Sequence, residues 1–185
     1  MKQELYLFIV IFVVLLGGCA SSQEEKELKR FLRVWSRVKP FYTERVALIA
    51  QEGFLNPALS IMLHEDLKTN SAFCEAFSSE FSSFEEYVNT FSNVSLHYTF
   101  LSFQENLQGR SSVVLMREIE DVLIKSEGDS SPQAKQKRMM ATLLYERLKQ
   151  YRELEKSVST NWMKAVLNHA RELGSVYAGL VEDMK

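Results

Sequence analysis

The sequence predicts an all-α protein, folded as a compact bundle of five to seven helices. The chain of 185 residues has only seven glycines and three prolines, so few positions are reserved for turns. Apolar residues recur at intervals of three and four over long stretches, which is the period of an amphipathic helix. No segment alternates apolar and polar residues over the length of a strand. Together these observations favour helices over a sandwich of short strands.

The first three predicted helices are separated by prolines. Residues 24–39 form the first helix, and Pro40 is expected to stop or kink it. Residues 41–51 form the second helix. Asn56 and Pro57 are an N-cap residue and a first-turn proline, so they open a third, short helix that runs to about position 67. The apolar face of the first helix consists of Phe31, Leu32, Val34, Trp35 and Val38.

The middle of the chain predicts one short helix and one long helix. The short one begins at Asn70 or Ser71 and ends at Phe77. Ser83 is followed three residues later by Glu86, which is the pattern of a capping box. The long helix behind it keeps apolar spacing for about five turns. Its main apolar positions are Phe84, Tyr87, Val88, Phe91, Val94, Tyr98 and Leu101.

Two further helices are predicted in the last 75 residues, the second with a candidate break. One begins at Ser111 or Ser112 and stops at Gly128, in the clearest loop of the chain. Ser131 followed by Pro132 repeats the signature of a cap with a first-turn proline and opens a helix of about six turns. Residues 157–161 are a candidate break in this helix, and helical spacing then continues almost to the C-terminus.

The N-terminus has the organisation of a signal peptide. Residues 5–16 are an unbroken apolar run. A membrane-spanning helix needs about 20 such residues, so this run is too short to cross a bilayer. A lysine before the run and small residues after it are typical of a secretory leader. We therefore expect a removable signal peptide at the N-terminus, with residues 24–185 forming a single helical domain.

The end of the apolar run carries a more specific motif. Leu16, Gly17, Gly18 and Cys19 are an apolar residue, two small residues and a cysteine, and this resembles the lipobox of bacterial lipoproteins. The resemblance covers only the first tenth of the chain. It implies that diacylglycerol is attached to the sulfur of Cys19 and that a peptidase cleaves just before it. Residues 1–18 would then be the removed signal peptide, and residues 19–23 would be the lipidated cysteine and a short tether. The membrane is then a partner through this lipid.

The resemblance also implies a location in the bacterial cell envelope. In the lipoprotein family an aspartate after the lipidated cysteine tends to retain the protein in the inner membrane. Here Ala20 occupies that position. If the cell has two membranes, we expect the protein at the outer membrane.

Charge excludes one class of partner and leaves two interpretations of a local asymmetry. The net charge of −2 gives no basic excess of the kind that nucleic-acid binding requires. Acidic residues dominate residues 65–127, whereas basic residues dominate residues 132–164. The two regions attract each other across the bundle, or the basic one faces anionic lipid or an acidic partner.

Chemistry-bearing motifs do not support an enzyme. The sequence contains no nucleophile elbow, glycine-rich phosphate loop or haem attachment motif. His169 and Glu172 share one helix face, but bundle metal sites need such a pair on two helices. We therefore expect no catalytic residue, no metal and no cofactor. His64 is expected at the solvated end of a short helix, and Cys74 is expected to be a small, apolar and unpaired side chain.

Aromatic residues provide the remaining candidate site. The chain has twelve phenylalanines, and Phe100 and Phe103 lie off the main apolar stripe of the long helix. With Phe91 they form a candidate apolar surface for a ligand or a partner. The sequence therefore predicts a non-catalytic, lipid-anchored domain that binds envelope proteins as an adaptor or assembly factor. The alternative is a carrier of an apolar small molecule in a Phe-lined cavity of the bundle.

Overall fold

The computed structural model describes residues 21–43, Arg45 and residues 63–182, with side chains up to residue 178 except that of Thr43. The predicted leader, most of the helix predicted at residues 41–51 and the first part of the helix predicted to begin at Pro57 lie outside these residues. The last part of the latter, from residue 63, is described and is helical. Within them, every regular element is helical and no strand occurs. The prediction of an all-α fold is therefore confirmed for the part of the chain that is described.

The described residues contain nine helical segments, which is more than the five to seven helices that the sequence predicts. They are α1 (Gln23–Val38), α2 (Pro40–Thr43), a 3-10 helix (Asp66–Thr69), α3 (Ser71–Phe77), α4 (Phe84–Asn106), α5 (Ser112–Lys125), α6 (Pro132–Glu155), α7 (Thr160–Asn168) and α8 (Ala170–Glu182). The last predicted helix is divided because His169 leaves helical geometry, with φ −116° and ψ 17°. Apolar periodicity continues across this residue, so it does not reveal the break.

Polar N-caps explain where most of these helices begin. At five helix starts a side-chain oxygen accepts a hydrogen bond from the backbone N–H three residues later, which satisfies one of the free donors of the first turn. The capping residues are Ser22, Asn70, Ser83, Ser131 and Ser159. The predicted starts of α3, α4 and α6 are thereby confirmed.

The capping box of α4 differs from the expected one in its second bond. Ser83 Oγ accepts from the Glu86 backbone N–H over 3.1 Å, as the motif requires. The Glu86 carboxylate instead accepts from the backbone N–H and the hydroxyl of Ser82, each over 2.8 Å. Its other oxygen accepts from Arg30 of α1. The carboxylate therefore ties the turn before α4 to α1.

The main core is aromatic and lies between α1, α3, α4, α7 and α8, with Tyr42 of α2 and the residues around the 3-10 helix closing one end. Tyr42 stacks on both Trp35 and Phe91, with ring centroids 5.7 Å and 5.3 Å apart. Tyr87 stacks on Phe77 at 4.9 Å. Parallel and edge-on ring contacts of this kind stabilise a core beyond the area that they bury.

A second, smaller core lies inside an antiparallel hairpin formed by α5 and α6. Its buried residues are Ile119, Ala141 and Leu148. The hairpin joins the main body through α4, because Phe100 stacks on Tyr151 of α6 at 4.8 Å and Phe103 contacts the same ring at 5.7 Å. α4 is thus apolar on two sides, as the off-stripe positions of Phe100 and Phe103 predict.

The connection at the tip of the hairpin is held by α6. Gly128 has φ +87°, a conformation that glycine adopts without strain, and this ends α5 as the sequence predicts. Arg138 Nη1 donates to the carbonyl of Ser126 and, over 2.8 Å, to the carbonyl of Asp129. These bonds satisfy carbonyls that follow the C-terminus of α5 and fix the register of the two helices.

Candidate functional site

An apolar groove of about 470 Å³ lies along one side of the hairpin. The buried residues Ile119 of α5 and Ala141 of α6 form its floor, with α5 along one edge and α6 along the other. We call it the hairpin groove, and its lining residues are Ile119, Val122, Lys137, Met140, Ala141, Leu143, Leu144 and Arg147.

The α6 edge of the hairpin groove is apolar and exposed to solvent. Met140, Leu143 and Leu144 are 60, 56 and 49% exposed. Tyr151 lies seven residues after Leu144, two turns further along the same side of α6, and it is buried against α4. The apolar stripe that attaches α6 to the body therefore continues along the hairpin as a solvent-exposed surface.

A polar contact bridges the two helices on the opposite side of the hairpin. The Tyr145 hydroxyl donates to Glu120 Oε1 over 2.7 Å and bridges α6 to α5. This carboxylate raises the pKa of Tyr145, because it accepts a hydrogen bond from the protonated phenol. The hairpin accordingly has an apolar groove on one side and a polar contact between its helices on the other.

Opposite charges flank the groove. On α5, Glu118 and Asp121 are exposed outside the lining of the groove, and Glu118 forms an ion pair with Arg110. On the α6 edge, Lys137 and Arg147 line the groove itself. The predicted asymmetry between an acidic and a basic region is therefore present in this hairpin as an acidic edge and a basic edge, with apolar side chains between them.

The three aromatic residues that the sequence singles out do not form one surface. Phe91 is 2% exposed and lies in the main core among Phe31, Tyr42, His64 and Tyr87. Phe100 and Phe103 instead contact Tyr151, where α4 carries the hairpin. The exposed apolar residues of the groove were missed because their helical spacing looks the same as that of a core face.

His64 is the main departure from expectation among the polar residues. We expected it at the solvated end of a short helix, yet it is 1% exposed. The Tyr42 hydroxyl lies 2.6 Å from His64 Nε2 and 3.0 Å from the Tyr87 hydroxyl. The aromatic rings of the main core surround this polar cluster, which no local sequence pattern reveals.

The polar cluster lies beside a surface depression of about 420 Å³. Burial is the largest cause that raises the pKa of Tyr42 and of Tyr87 well above the usual value, so both phenols stay protonated. Neither can act as a base or a nucleophile near neutral pH. Their hydroxyls donate and accept within the core and thereby satisfy buried polar groups.

Of the other two histidines, His97 bridges two helices, whereas His169 Nδ1 is buried without a hydrogen-bond partner among the described residues. His97 Nδ1 donates to the Asn93 carbonyl over 2.7 Å, and His97 Nε2 accepts from the Ser159 N–H over 2.9 Å. It therefore joins α4 to the start of α7. His169 Nδ1 lies 3.3 Å from Glu172 Oε1. Across the described part of the chain, no three His, Cys, Asp or Glu side chains gather as a metal site would require.

The remaining findings concern the two cysteines, membrane-spanning helices and the comparison with known proteins. Cys19, the predicted lipidation residue, lies outside the described residues, and Cys74 is half-buried with a free thiol. None of the described helices is both long enough and apolar enough to cross a bilayer. No protein-family model, curated protein or solved structure shows a significant match to this chain.

Proposed function

We propose that this protein is a lipid-anchored, non-catalytic helical module of the bacterial envelope that binds a protein partner in the hairpin groove, as an adaptor or assembly factor. The observation that carries the proposal is the exposure of Met140, Leu143 and Leu144 along one side of an ordered hairpin. Contiguous exposed apolar residues with a polar rim are characteristic of interaction surfaces.

The shape and composition of the groove suit a helical partner. An amphipathic helix binds in such a groove by inserting apolar side chains spaced three or four residues apart. Methionine at the edge is flexible and polarisable, so it adapts to the partner's side chains. Lys137 and Arg147 favour a partner with acidic residues beside its apolar ones.

The anchor is proposed on the lipobox resemblance at residues 16–19. α1 begins at Gln23, and Ser22 is its N-cap. Four residues span at most about 14 Å, so a lipid on Cys19 would hold α1 close to the membrane surface. Two acyl chains or more give stable attachment, whereas one chain holds only marginally. With Ala20 after the cysteine, we propose the outer membrane as the destination in a cell with two membranes.

The alternative, a carrier of an apolar small molecule, has less support. Its proposed cavity would be lined by Phe91, Phe100 and Phe103. Phe91 packs in the main core, whereas Phe100 and Phe103 pack against Tyr151. The three rings are thus used in two separate packing contacts.

Site-specific photo-crosslinking tests the binding proposal. A photoreactive amino acid replaces Leu144 in the full chain, and a matched variant carries it at Ile124. Ile124 is 66% exposed on the same hairpin but does not line the groove. Irradiation of intact cells should give protein adducts from position 144 and few from position 124. Equal labelling from both positions, or no adduct from either, would refute a binding role for the groove.

Metabolic labelling tests the anchor separately. Wild-type protein should incorporate a clickable palmitate analogue, and Cys19→Ala should lose the label and leave the membrane fraction. Cys74→Ala is the matched control, since it removes the other thiol and should keep the label. If Cys19→Ala remains in the membrane after a carbonate wash, the anchor proposal is wrong.

A further inference from the structure

We propose that the occupant of the hairpin groove is a second copy of this chain. In this arrangement a two-fold axis runs parallel to the hairpin helices, so that α6 of each copy packs against α5 of the other. The inference deepens the proposed function, since it takes the groove to be a protein-binding surface and names the partner.

The charges of the hairpin are self-complementary. α6 carries six basic and three acidic residues, whereas α5 carries two basic and three acidic ones. A two-fold contact must present the same surface on both copies. Stacking α6 on α5 of the second copy places the basic edge of each groove along the acidic edge of the other. Stacking α6 on α6 would instead bring two basic edges together.

The register of the hairpin specifies one of these charge contacts. Tyr145 contacts Glu120, and Arg138 contacts Ser126. Because the two helices are antiparallel, residues at the same level have numbers that add to about 265. Arg147 therefore lies at the level of Glu118. A two-fold axis along the hairpin keeps each level unchanged, so Arg147 faces Glu118 of the second copy. Glu118 also forms an ion pair with Arg110 of its own chain, so Arg147 would bind the carboxylate beside this arginine. Opposite charges at this position favour the arrangement.

The apolar residues fit the same contact. Leu143 and Leu144 project from the exposed α6 edge, whereas Ala141 leaves space on the floor between the helices. Each copy thus has large apolar side chains on the edge and space above a small one, so the edge of one copy can fit into the groove of the other. Packing the α6 edge of one hairpin into the groove of the other removes both leucines from water. Burial of these leucine side chains is favourable, and the two-fold axis repeats the same burial in the second copy.

An anionic membrane surface agrees less well with these charges. The basic residues of α6 would attract anionic headgroups, but Glu118 and Asp121 on the α5 edge would be repelled by them. A second copy satisfies both edges. A lipid surface and an unrelated protein are therefore outcomes that the experiment must separate from self-association.

Co-purification of two tagged copies tests the inference. Full-length chains with different tags are co-expressed, extracted in excess mild detergent and captured through one tag. The second tag should co-purify with the wild type. Leu143→Glu with Leu144→Glu should lower the recovery at least about tenfold, because an apolar contact would have to bury unpaired carboxylates. Ile124→Glu changes an equally exposed residue outside the groove and should leave the recovery unchanged.

Charge reversal tests the geometry of the contact. Arg147→Glu alone and Glu118→Arg alone should each weaken self-association, because each places like charges opposite one another at two symmetric positions. When one tagged copy carries Arg147→Glu and the other carries Glu118→Arg, one pair is restored in reversed form, the other pair keeps its native residues, and co-purification should recover. Circular dichroism of each variant verifies that the helical fold is retained.

The outcomes distinguish this inference from the proposed function. The two-fold contact is supported if the leucine variant loses co-purification and the mixed pair of charge variants recovers it. All variants share the same N-terminus, so accidental sharing of a detergent micelle would affect them equally. Absence of co-purification, or recovery unaffected by the leucine variants, overturns the second copy as occupant. Protein adducts from position 144 without co-purification would retain the binding function and assign it to another protein, whereas lipid adducts alone would overturn both.

Discussion

Arg30 of α1 and Glu86 of α4 lie 56 positions apart in the chain, and Arg30 Nη1 donates to Glu86 Oε1 over 2.7 Å. Arg30 Nε also donates to the Glu80 carbonyl over 2.6 Å, and the guanidinium lies over the Phe81 ring at 4.5 Å. One side chain of α1 therefore binds the turn before α4, the start of α4 and an aromatic ring of the core.

Replacing Arg30 should destabilise the fold more than replacing its neighbour Arg33. Arg30 is 23% exposed and bonds to a backbone carbonyl and a carboxylate, whereas Arg33 is 55% exposed and bonds only to the Glu80 side chain. We expect Arg30→Ala to lower the free energy of unfolding by about 2 kcal/mol, since charge-assisted bonds to partly buried groups are lost. Arg33→Ala should cost less than about 1 kcal/mol. Urea unfolding followed by circular dichroism measures both, and equal losses would contradict the role of Arg30.

Acid should weaken the same contact. The Arg30 hydrogen bond, followed by the bonds from Ser82, lowers the pKa of Glu86 to about 2 from 4.5. A carboxyl group with a lowered pKa in the fold stabilises the protein above its unfolded pKa, and this contribution is lost as pH falls towards 2. We expect Glu86→Gln to reduce the loss of stability between about pH 5 and pH 2.5. Urea midpoints across this range test it, and an unchanged pH dependence in Glu86→Gln would show that the contact is not the cause.

His97 should remain neutral in the fold and should resist protonation. Burial lowers its pKa, although the bond from Nδ1 to the Asn93 carbonyl partly opposes the shift. The neutral form is favoured, so its contribution to stability is present above about pH 6.5 and is lost as pH falls below that value. Nitrogen NMR should report a proton on Nδ1, a free Nε2 and a pKa below 6.5. A proton on Nε2 near neutral pH would contradict the acceptor role towards Ser159.

Loss of the Tyr42 hydroxyl should cost more than loss of the Tyr87 hydroxyl. Tyr42 contacts both His64 and Tyr87, whereas the cluster joins Tyr87 to Tyr42 alone. Because a buried polar group that loses its partner retains the full cost of desolvation, we expect about 2 kcal/mol for Tyr42→Phe and about 1 kcal/mol for Tyr87→Phe. The double variant should cost less than the sum, since both changes remove the same bond. Additive effects in urea unfolding would show that the two hydroxyls act independently.

Phe100 should determine how firmly the hairpin is attached to the body. Its ring is 4% exposed and stacks on Tyr151 with an interplanar angle of 4°. Phe100→Ala should lower stability by about 3 kcal/mol, because it leaves a cavity between α4 and α6. Amide hydrogen exchange should accelerate in α5 and α6 more than in α1 and α3. Uniform acceleration in all four helices would indicate that the hairpin does not open on its own.

Local patterns in the sequence predict much of the secondary structure. Helix starts and ends depend on residues that lie close by in the sequence. Examples are the capping side chains of α3, α4 and α6, the proline at the start of α6 and the glycine after α5. Their chemistry is therefore visible without knowing the fold. Helical spacing likewise gives the apolar face of α1 and the two-sided character of α4.

Long-range packing decided the rest. Burial of His64 depends on Tyr42 and Tyr87, which are 22 and 23 residues away in the chain and belong to other helices. The apolar spacing of Leu143 and Leu144 in α6 is that of a core face, yet α5 and α4 cover other parts of that helix and leave these side chains exposed. Sequence alone determines which residues are suited to burial. Only the placement of one helix against another determines which of them are buried and which remain available to a partner.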